Sequence, residues 1–276
     1  MQIVWELTEL KAQLVEILAS LWCAWIETEL IRGNHPKALE LCKRATAEPG
    51  LKRKREAAAQ DSASVQDRLF RSTRLWALYA DLEESLGSFT STKAVYERIL
   101  ELKIATPQLV INYASFLEER NYFEESFKAF EKGIAAFNFP YSKDLWSIYL
   151  EKFTTRYGGA KLERARDLFE QVLDKCPGDK AKVFYLMYAR LEEDYGLARH
   201  AMHVYDRASK AIPANQKFDI YCIYINRATD FFGLPKTREI YEAAIASLPD
   251  AQASEMCRRF SEVEVKLGEV DRAREV

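Results

Sequence analysis

The chain has 276 residues, of which 48% are apolar and 30% charged, a balance typical of folded globular proteins rather than disordered ones. Its 40 Lys and Arg against 42 Asp and Glu give a formal net charge of −2. This charge excludes an electrostatic duplex binder, because non-specific affinity for nucleic acid comes from many phosphate-neutralising cations. Only 10 Gly and 8 Pro are present, which favours helices joined by short connectors.

The first 30 residues contain apolar stretches, but charged residues such as Glu6, Lys11 and Glu16 interrupt them. No run reaches the roughly 18 uncharged residues of a membrane span, and no basic region precedes an apolar one as in a signal peptide. The five cysteines are far apart and odd in number, which predicts reduced thiols in an intracellular protein.

Residues 1–48 are predicted to form a first, degenerate helix pair, marked by Trp22, Trp25 and Glu29. Residues 49–66 are predicted to be a mobile insertion, because they combine Pro-Gly with a polar, apolar-poor stretch. The insertion carries the basic run Lys52, Arg53, Lys54 and Arg55. Such a run is typical of a nuclear import signal and equally of a solvated loop, and the motif alone leaves both readings open.

Residues 67–276 are predicted to form a repeat array whose last unit is truncated. An aromatic anchor recurs on each first helix at spacings of 34 to 39 residues, and a second aromatic follows after a turn. The first helices carry Trp76, Tyr79, Tyr113, Trp146, Tyr149, Tyr188, Tyr224 and Phe260, and the second helices carry Tyr96, Phe130, Phe169, Tyr205 and Tyr241. Aromatics three residues apart share one helix face, and a proline ends most second helices.

One such helix pair cannot bury both of its apolar faces, whereas a row of stacked pairs can. The sequence therefore predicts an all-α fold, an α-solenoid of stacked antiparallel helix pairs of TPR-like type in a right-handed superhelix.

The motifs Trp-x-x-Tyr-x-x-x-Glu on the first helix and Ala-x-x-Tyr-Glu-Arg-Ala on the second resemble the half-a-TPR (HAT) repeat. Longer stretches, such as Tyr-Gly-Gly-Ala-Lys-Leu-Glu-Arg-Ala-Arg-Asp-Leu-Phe-Glu at 157–170, are similar to the Syf-type splicing factors, a family also called XPA-binding proteins. The likeness is strong over residues 66–276 and loose over 1–50. It departs from the HAT pattern where Leu117, Phe153 and Ala228 replace the first-helix glutamate.

The resemblance implies a nuclear, non-enzymatic scaffold of the spliceosomal Prp-nineteen-associated complex. It also implies a link to transcription-coupled DNA repair. The expected partners are other splicing-complex proteins bound on the solenoid surface, and the chain would be a fragment of a longer array.

Two sets of residues could have either a binding or catalytic role or a purely structural one. The aromatics can be read as a base-stacking platform, but their fixed place in each unit favours a core between helices. The glutamates Glu29, Glu83, Glu192 and Glu264 can be read as acid/base or metal-binding groups. Each belongs to a different unit, which favours hydrogen bonds between helices instead.

His200 and His203 lie three apart, and His35 precedes a proline; a surface position is the favoured interpretation for all three. Cys-x-x-Cys, phosphate-binding and catalytic motifs are missing from the sequence. We therefore expect no catalytic residue, no cofactor, no metal, no small-molecule substrate and no membrane contact. The leading hypothesis is a protein-binding scaffold; the alternative is an RNA-binding helical-repeat module, although RNA contact is expected to be weak at this net charge.

Overall fold

The computed structural model describes residues 2–50 and 65–275, and every regular element within those two ranges is helical. The chain divides into two compact units, residues 1–145 and 146–276. The basic run at 52–55 and most of the insertion predicted at 49–66 lie outside the described residues. A short helix begins at Val65, inside the range predicted for the insertion.

Unit 1 starts with α1, the longest helix, and continues in pairs of shorter ones. The helices are α1 Gln2–Ile31, α2 His35–Ala45, α3 Val65–Arg68, α4 Thr73–Leu86, α5 Phe89–Glu101, α6 Pro107–Glu119 and α7 Phe123–Ala136. A 3₁₀ turn, Leu69–Arg71, joins α3 to α4. The boundary between the units falls inside α8, Lys143–Tyr157.

Unit 2 repeats the same alternation. Its helices are α9 Leu162–Lys175, α10 Gly178–Tyr195, α11 Ala198–Ala211, α12 Ala214–Phe232, α13 Arg238–Ser247, α14 Asp250–Leu267 and α15 Val270–Glu275. The turns Gly158–Lys161 and Leu234–Thr237 are 3₁₀ segments that precede α9 and α13.

First helices pack on the second helices that follow them, as α6 does on α7 and α10 on α11. Only Gly196 and Leu197 separate α10 from α11, so the chain must reverse direction at once. The predicted all-α class of paired solenoid helices is therefore confirmed.

Helix ends follow from local sequence. Ser88 caps α5 by accepting a hydrogen bond from the backbone N–H of Ser91, and Thr106 caps α6 before Pro107. The prolines predicted to stop second helices stand immediately before the next first helix: Pro177, Pro213 and Pro249 precede α10, α12 and α14. One proline thus ends one pair and opens the next.

Large side chains fill the space between helices in both units. Tyr96, Phe127 and Phe130 are fully buried in unit 1, and Phe169 and Phe184 are fully buried in unit 2. Burying a side chain of this size contributes about 2 kcal/mol to the free energy of unfolding, so these contacts dominate the stability of each pair.

Candidate functional site

The aromatic anchors form stacked pairs between one helix pair and the next. A second-helix aromatic stacks on the first-helix anchor that follows it, with ring centroids 4.8 to 5.7 Å apart. The pairs are Tyr96–Tyr113, Phe169–Tyr188, Tyr205–Tyr224 and Tyr241–Phe260. Phe169 and Tyr188 are almost parallel, at 3°. These rings face each other across a seam, so their flat faces are not free to stack on nucleic-acid bases.

Most of the predicted signature aromatics are buried. The buried ones are Trp76, Tyr79, Tyr96, Tyr113, Phe130, Trp146, Tyr149, Phe169, Tyr188, Tyr205, Tyr241 and Phe260. Tyr224 and Trp22 are half-buried. Trp25 was expected in the core with them, and that expectation is wrong: the Trp25 side chain is 43% exposed.

The four recurring glutamates are buried at the end of the first helix, with no more than 3% of each exposed. In unit 1, Glu83 Oε2 accepts a hydrogen bond from the hydroxyl of Ser91 on α5 at 2.6 Å. Glu29 accepts one from Asn34 Nδ2 at 2.9 Å and one from Lys37 Nζ at 2.8 Å. The hydrogen bond from Lys37 is the main cause that lowers the pKa of Glu29. Both carboxylates thus join the first helix of a pair to its own second helix.

In unit 2 the glutamate at the same position is bound by an arginine from the preceding helix pair. Arg166 on α9 donates to Glu192 on α10 with both ends of its guanidinium, at 2.6 and 2.8 Å. Arg238 on α13 binds Glu264 on α14 in the same way, with both distances 2.7 Å. Such bidentate pairs are among the stronger hydrogen bonds in proteins. These carboxylates therefore join successive helix pairs.

Where the glutamate is missing, the position remains buried. Leu117, Phe153 and Ala228 are each at most 2% exposed. The position is thus a core site that accepts either an apolar side chain or a carboxylate with partners. The three residues that depart from the HAT pattern are therefore buried as deeply as the glutamates that they replace.

A glycine follows each of these glutamates by four residues, so that Glu-x-x-x-Gly recurs at 29–33, 83–87, 192–196 and 264–268. A Cβ atom on Gly87 would lie 2.1 Å from Glu83 Oε2, and one on Gly196 would lie 2.0 Å from Glu192 Oε2. At Gly87 and Gly196 the glycine therefore leaves room for the carboxylate to fold back over the end of its own helix, whereas a Cβ on Gly33 or Gly268 would meet no atom within 4 Å. The repeated spacing itself is visible in the sequence.

A second acidic residue adds a further link within two pairs. Tyr96 on α5 donates a hydrogen bond from its hydroxyl to Glu84 on α4. Tyr205 on α11 donates to Glu193 on α10 at 3.0 Å. Burial, followed by the neighbouring carboxylate, raises the pKa of both phenols. The phenols therefore stay protonated and act as donors.

Further ion pairs join successive pairs in unit 2. Arg207 on α11 binds Glu170 on α9 with both ends, at 2.6 and 2.7 Å. The hydrogen bonds from Arg207 lower the pKa of the Glu170 carboxyl. Lys182 on α10 reaches Asp219 on α12 at 2.7 Å.

The groups considered for chemistry are dispersed. His35, His200 and His203 are exposed, and the cysteines are free thiols. His200 Nδ1 lies 3.7 Å from Glu192 Oε2, so this histidine borders the buried carboxylate. Within residues 2–50 and 65–275 we find no group of three His, Cys, Asp or Glu side chains arranged to hold a metal ion. No helix in the same ranges is long and apolar enough to cross a membrane.

The surface left open carries charges of both signs. In unit 1, a groove of about 810 Å³ runs between the ends of α5 and α7. Its lining includes the acids Glu97 and Glu101 and the lysines Lys103 and Lys132, beside apolar residues such as Phe137. A mixed lining of this kind suits a polypeptide better than a polyanion, because a polyanion would need cations without interleaved acids.

Stacked aromatic seams, a buried carboxylate at the end of the first helix and a proline between pairs define this chain as a helical-repeat protein of the HAT class. A family model described as "Pre-mRNA-splicing factor Syf1/CRNKL1 C-terminal HAT repeat" matches residues 2–276. The chain therefore belongs to that family.

Relatives with curated names agree. A Drosophila melanogaster protein named pre-mRNA-splicing factor syf1 homolog is 56% identical over 98% of this chain and 30% of its own length. A Homo sapiens protein named pre-mRNA-splicing factor SYF1 is 55% identical over 98% of this chain and 31% of its own length. The chain thus spans about a third of these relatives. Among solved structures, a tetratricopeptide repeat protein from Parabacteroides merdae aligns over 92% of this chain and 89% of its own, at 12% identity and a TM-score of 0.39.

Proposed function

We propose that this chain is a non-enzymatic protein–protein interaction scaffold that acts in pre-mRNA splicing. The observation that carries the proposal is the burial of the repeat signature. The recurring glutamates are hydrogen-bonded between helices, and the stacked rings face each other. What remains for recognition is the outer surface of the helices, which is how solenoid repeats bind polypeptides.

The splicing role comes from the names of the relatives, which are splicing factors. Nuclear location, membership of the Prp-nineteen-associated complex and a part in transcription-coupled repair are finer proposals that rest on the family resemblance. The basic run Lys52 to Arg55 is proposed as an import signal on the same ground.

The experiment is capture of partners from nuclear extract on the immobilised chain, with and without ribonuclease. A scaffold retains splicing-complex proteins after ribonuclease treatment, because its contacts are with protein. A matched control is Val172→Asp, which places a charge in the core and should abolish capture by unfolding the chain. Capture that disappears with ribonuclease would contradict the proposal.

The second candidate is an RNA-binding module, and a binding measurement separates the two. Fluorescence polarisation of a labelled single-stranded RNA is measured at about 50 mM and about 200 mM salt, a range over which several phosphate contacts lower affinity by orders of magnitude. A scaffold of net charge −2 should bind weakly at both concentrations. Submicromolar binding that collapses at the higher salt would favour the RNA-binding function.

A further inference from the structure

The ends of three successive first helices in unit 2 carry an apolar row. The residue seven after each first-helix anchor is Tyr195 on α10, Phe231 on α12 and Leu267 on α14. The side chains of Tyr195 and Phe231 are 50% and 43% exposed, and Leu267 is half-buried. We call these three residues the edge row. Single exposed apolar residues are common, but apolar residues that align from one repeat to the next are typical of a binding surface.

Contacts within unit 2 place the three positions side by side. Arg227 Nε on α12 lies 3.5 Å from Glu193 Oε2 on α10. Arg259 Nη1 on α14 donates a hydrogen bond to Cys222 Sγ on α12 at 3.3 Å. Each of these links joins residues about one repeat apart in the sequence. Successive positions of the edge row are therefore neighbours, about 10 Å apart at the usual spacing of packed helices.

The first ring of the row is held in place by a glycine turn. A Cβ atom on Gly158 would lie 2.9 Å from Tyr195 Cε1, and one on Gly159 would lie 3.5 Å from Tyr195 Cβ. The two glycines thus let the Tyr195 ring lie against the turn before α9, while half of the side chain stays open to solvent. A ring that is already fixed loses little conformational freedom when a ligand covers it.

Two further exposed side chains widen the row. Leu197, in the turn between α10 and α11, is 60% exposed, and Phe232 at the end of α12 is 40% exposed. The rings of Phe231 and Phe232 have centroids 6.5 Å apart and planes tilted by 57°. Exposed aromatic rings of this kind are the surfaces on which proteins bind proline-rich segments.

Cations without acidic partners flank the row. Arg199 and Lys236 are exposed and lie four and five residues after Tyr195 and Phe231 respectively. Neither forms an ion pair with a residue that the structure describes, whereas the neighbouring Arg227 lies within 3.7 Å of acidic side chains. The edge row is therefore complementary in charge to a segment that carries carboxylates.

The spacing of the row selects the backbone conformation of its ligand. A polyproline II helix has three residues per turn and a rise of about 3.1 Å, so every third side chain returns to the same face after about 9.3 Å. This distance matches the separation of about 10 Å between row positions. In an extended strand, side chains on one face are only about 6.6 Å apart.

We propose that the edge row binds a proline-rich, acidic segment of a partner protein in the polyproline II conformation. Every third residue of the segment packs on one position of the row, and carboxylates between them approach Arg199 and Lys236. This inference rests on the proposed scaffold function and names the kind of segment that the scaffold holds.

The test measures binding of a fluorescein-labelled peptide of four Pro-Pro-Glu repeats to the 276-residue chain by fluorescence polarisation. The peptide should bind saturably, and Tyr195→Ala combined with Phe231→Ala should raise its Kd about tenfold or more. Arg199→Gln should raise the Kd about threefold, because one solvated charge contact is lost. Tyr141→Ala, which removes a 72% exposed ring outside the row, is the matched control and should bind as the parent chain does.

Two control peptides define the chemistry of the ligand. Four Gly-Ser-Glu repeats carry the same charge without a polyproline II preference and should bind about tenfold more weakly. A helical peptide with leucine at every seventh residue, a spacing of about 10.5 Å, should not compete. Equal binding of the Gly-Ser-Glu peptide, competition by the helical one, no binding of the proline-rich peptide, or an unchanged Kd in the double variant would overturn the proposal.

Folding and the scaffold function are checked separately. The substituted side chains are exposed, so the Tm of each variant should match that of the parent chain. If Tyr195→Ala lowers the Tm, Phe231→Ala with Arg199→Gln replaces it. A chain that fails to bind the peptide but still captures splicing-complex proteins after ribonuclease treatment would refute the edge-row proposal and leave the scaffold function standing. Capture that disappears with ribonuclease would refute the scaffold function itself.

Discussion

Glu83 in unit 1 and Glu192 in unit 2 hold the same position in their repeats and are equally buried, yet they bind different partners. Glu83 accepts a hydrogen bond from a neutral hydroxyl, that of Ser91, within its own helix pair. Glu192 accepts two from the Arg166 guanidinium of the pair before it. The first carboxylate closes a pair, and the second fastens one pair to the next.

The glutamate is buried at this repeat position in both units, but its hydrogen-bond partner decides whether it stabilises the interface within a helix pair or the one between pairs. A charged partner makes the joint stronger but more vulnerable, because removing it leaves a buried carboxylate with little compensation. A hydroxyl partner contributes less and is lost at lower cost.

The largest effect is expected for Arg166→Ala. This change leaves Glu192 buried without its guanidinium, so the free energy of unfolding should fall by about 3–5 kcal/mol. Urea denaturation measures it. Arg190→Ala is the matched control, since the Arg190 side chain is 82% exposed and meets Asp194 only at 3.7 Å. If the two variants had equal urea midpoints, the claim that Arg166 stabilises the joint between helix pairs would be wrong.

Tyr188→Ala should remove a packed ring from the same joint between α9 and α10. We expect a loss of roughly 3 kcal/mol, as for other large-to-small aromatic core changes. Glu163→Ala, on the exposed side of α9, should change the stability by about 0.5 kcal/mol or less. If thermal melts of the two variants coincide, the assignment of buried and exposed faces is wrong.

Gly87→Ala tests whether the glycine makes room for Glu83. Its Cβ would lie 2.1 Å from Glu83 Oε2 and 2.7 Å from the Glu83 backbone oxygen. The side chain must move, and the stability should fall by about 1–3 kcal/mol. Gly50→Ala, with no atom within 4 Å of the added Cβ, is the control and should melt as the parent chain does.

Ser91→Ala removes the hydroxyl that Glu83 accepts from. The expected loss is about 1 kcal/mol, smaller than for Arg166→Ala because a neutral donor is removed. Ser85→Ala, whose hydroxyl bonds only the Asp81 carbonyl on an exposed face, should have almost no effect in chemical denaturation. A loss from Ser91→Ala as large as that from Arg166→Ala would erase the distinction between the two joints.

The smallest expected effect is the loss of stability at low pH from the Arg207–Glu170 ion pair. Arg207 lowers the pKa of Glu170 below its ordinary 4.5, so this pair stabilises the fold above about pH 4.5 and its contribution disappears as pH falls through the folded-state value. Both side chains are about a third exposed or more, which limits the contribution to about 0.5–1 kcal/mol. Arg207→Ala should flatten this part of the stability–pH curve; an unchanged slope would exclude the pair as its source.

Periodic aromatics were enough to predict the paired helices, because a 3.6-residue period and a repeat of about 36 residues leave few other architectures. The burial of Glu83 and Glu192 was also predictable, since a charge that recurs on an aromatic face needs a partner between helices. Their partners were not, because Ser91 and Arg166 lie on different sides of their glutamates in sequence and only the packed helices select between them.

Trp25 shows the limit of reasoning by repeat. Its sequence position equals that of Tyr188, but burial depends on a neighbouring helix that no residue in the unit itself supplies. The repeated Glu-x-x-x-Gly spacing pointed to Gly87, but the clearance itself depends on the rotamer of Glu83, which the sequence does not specify.

A pair of double-mutant cycles tests the central claim most directly. One cycle combines Arg166→Met with Glu192→Gln, and the other combines Ser91→Ala with Glu83→Gln, with each free energy of unfolding taken from urea titration. The account predicts a coupling energy above about 2 kcal/mol for the charged joint between pairs and below about 1 kcal/mol for the joint within a pair. Equal coupling energies, or none between Arg166 and Glu192, would contradict it.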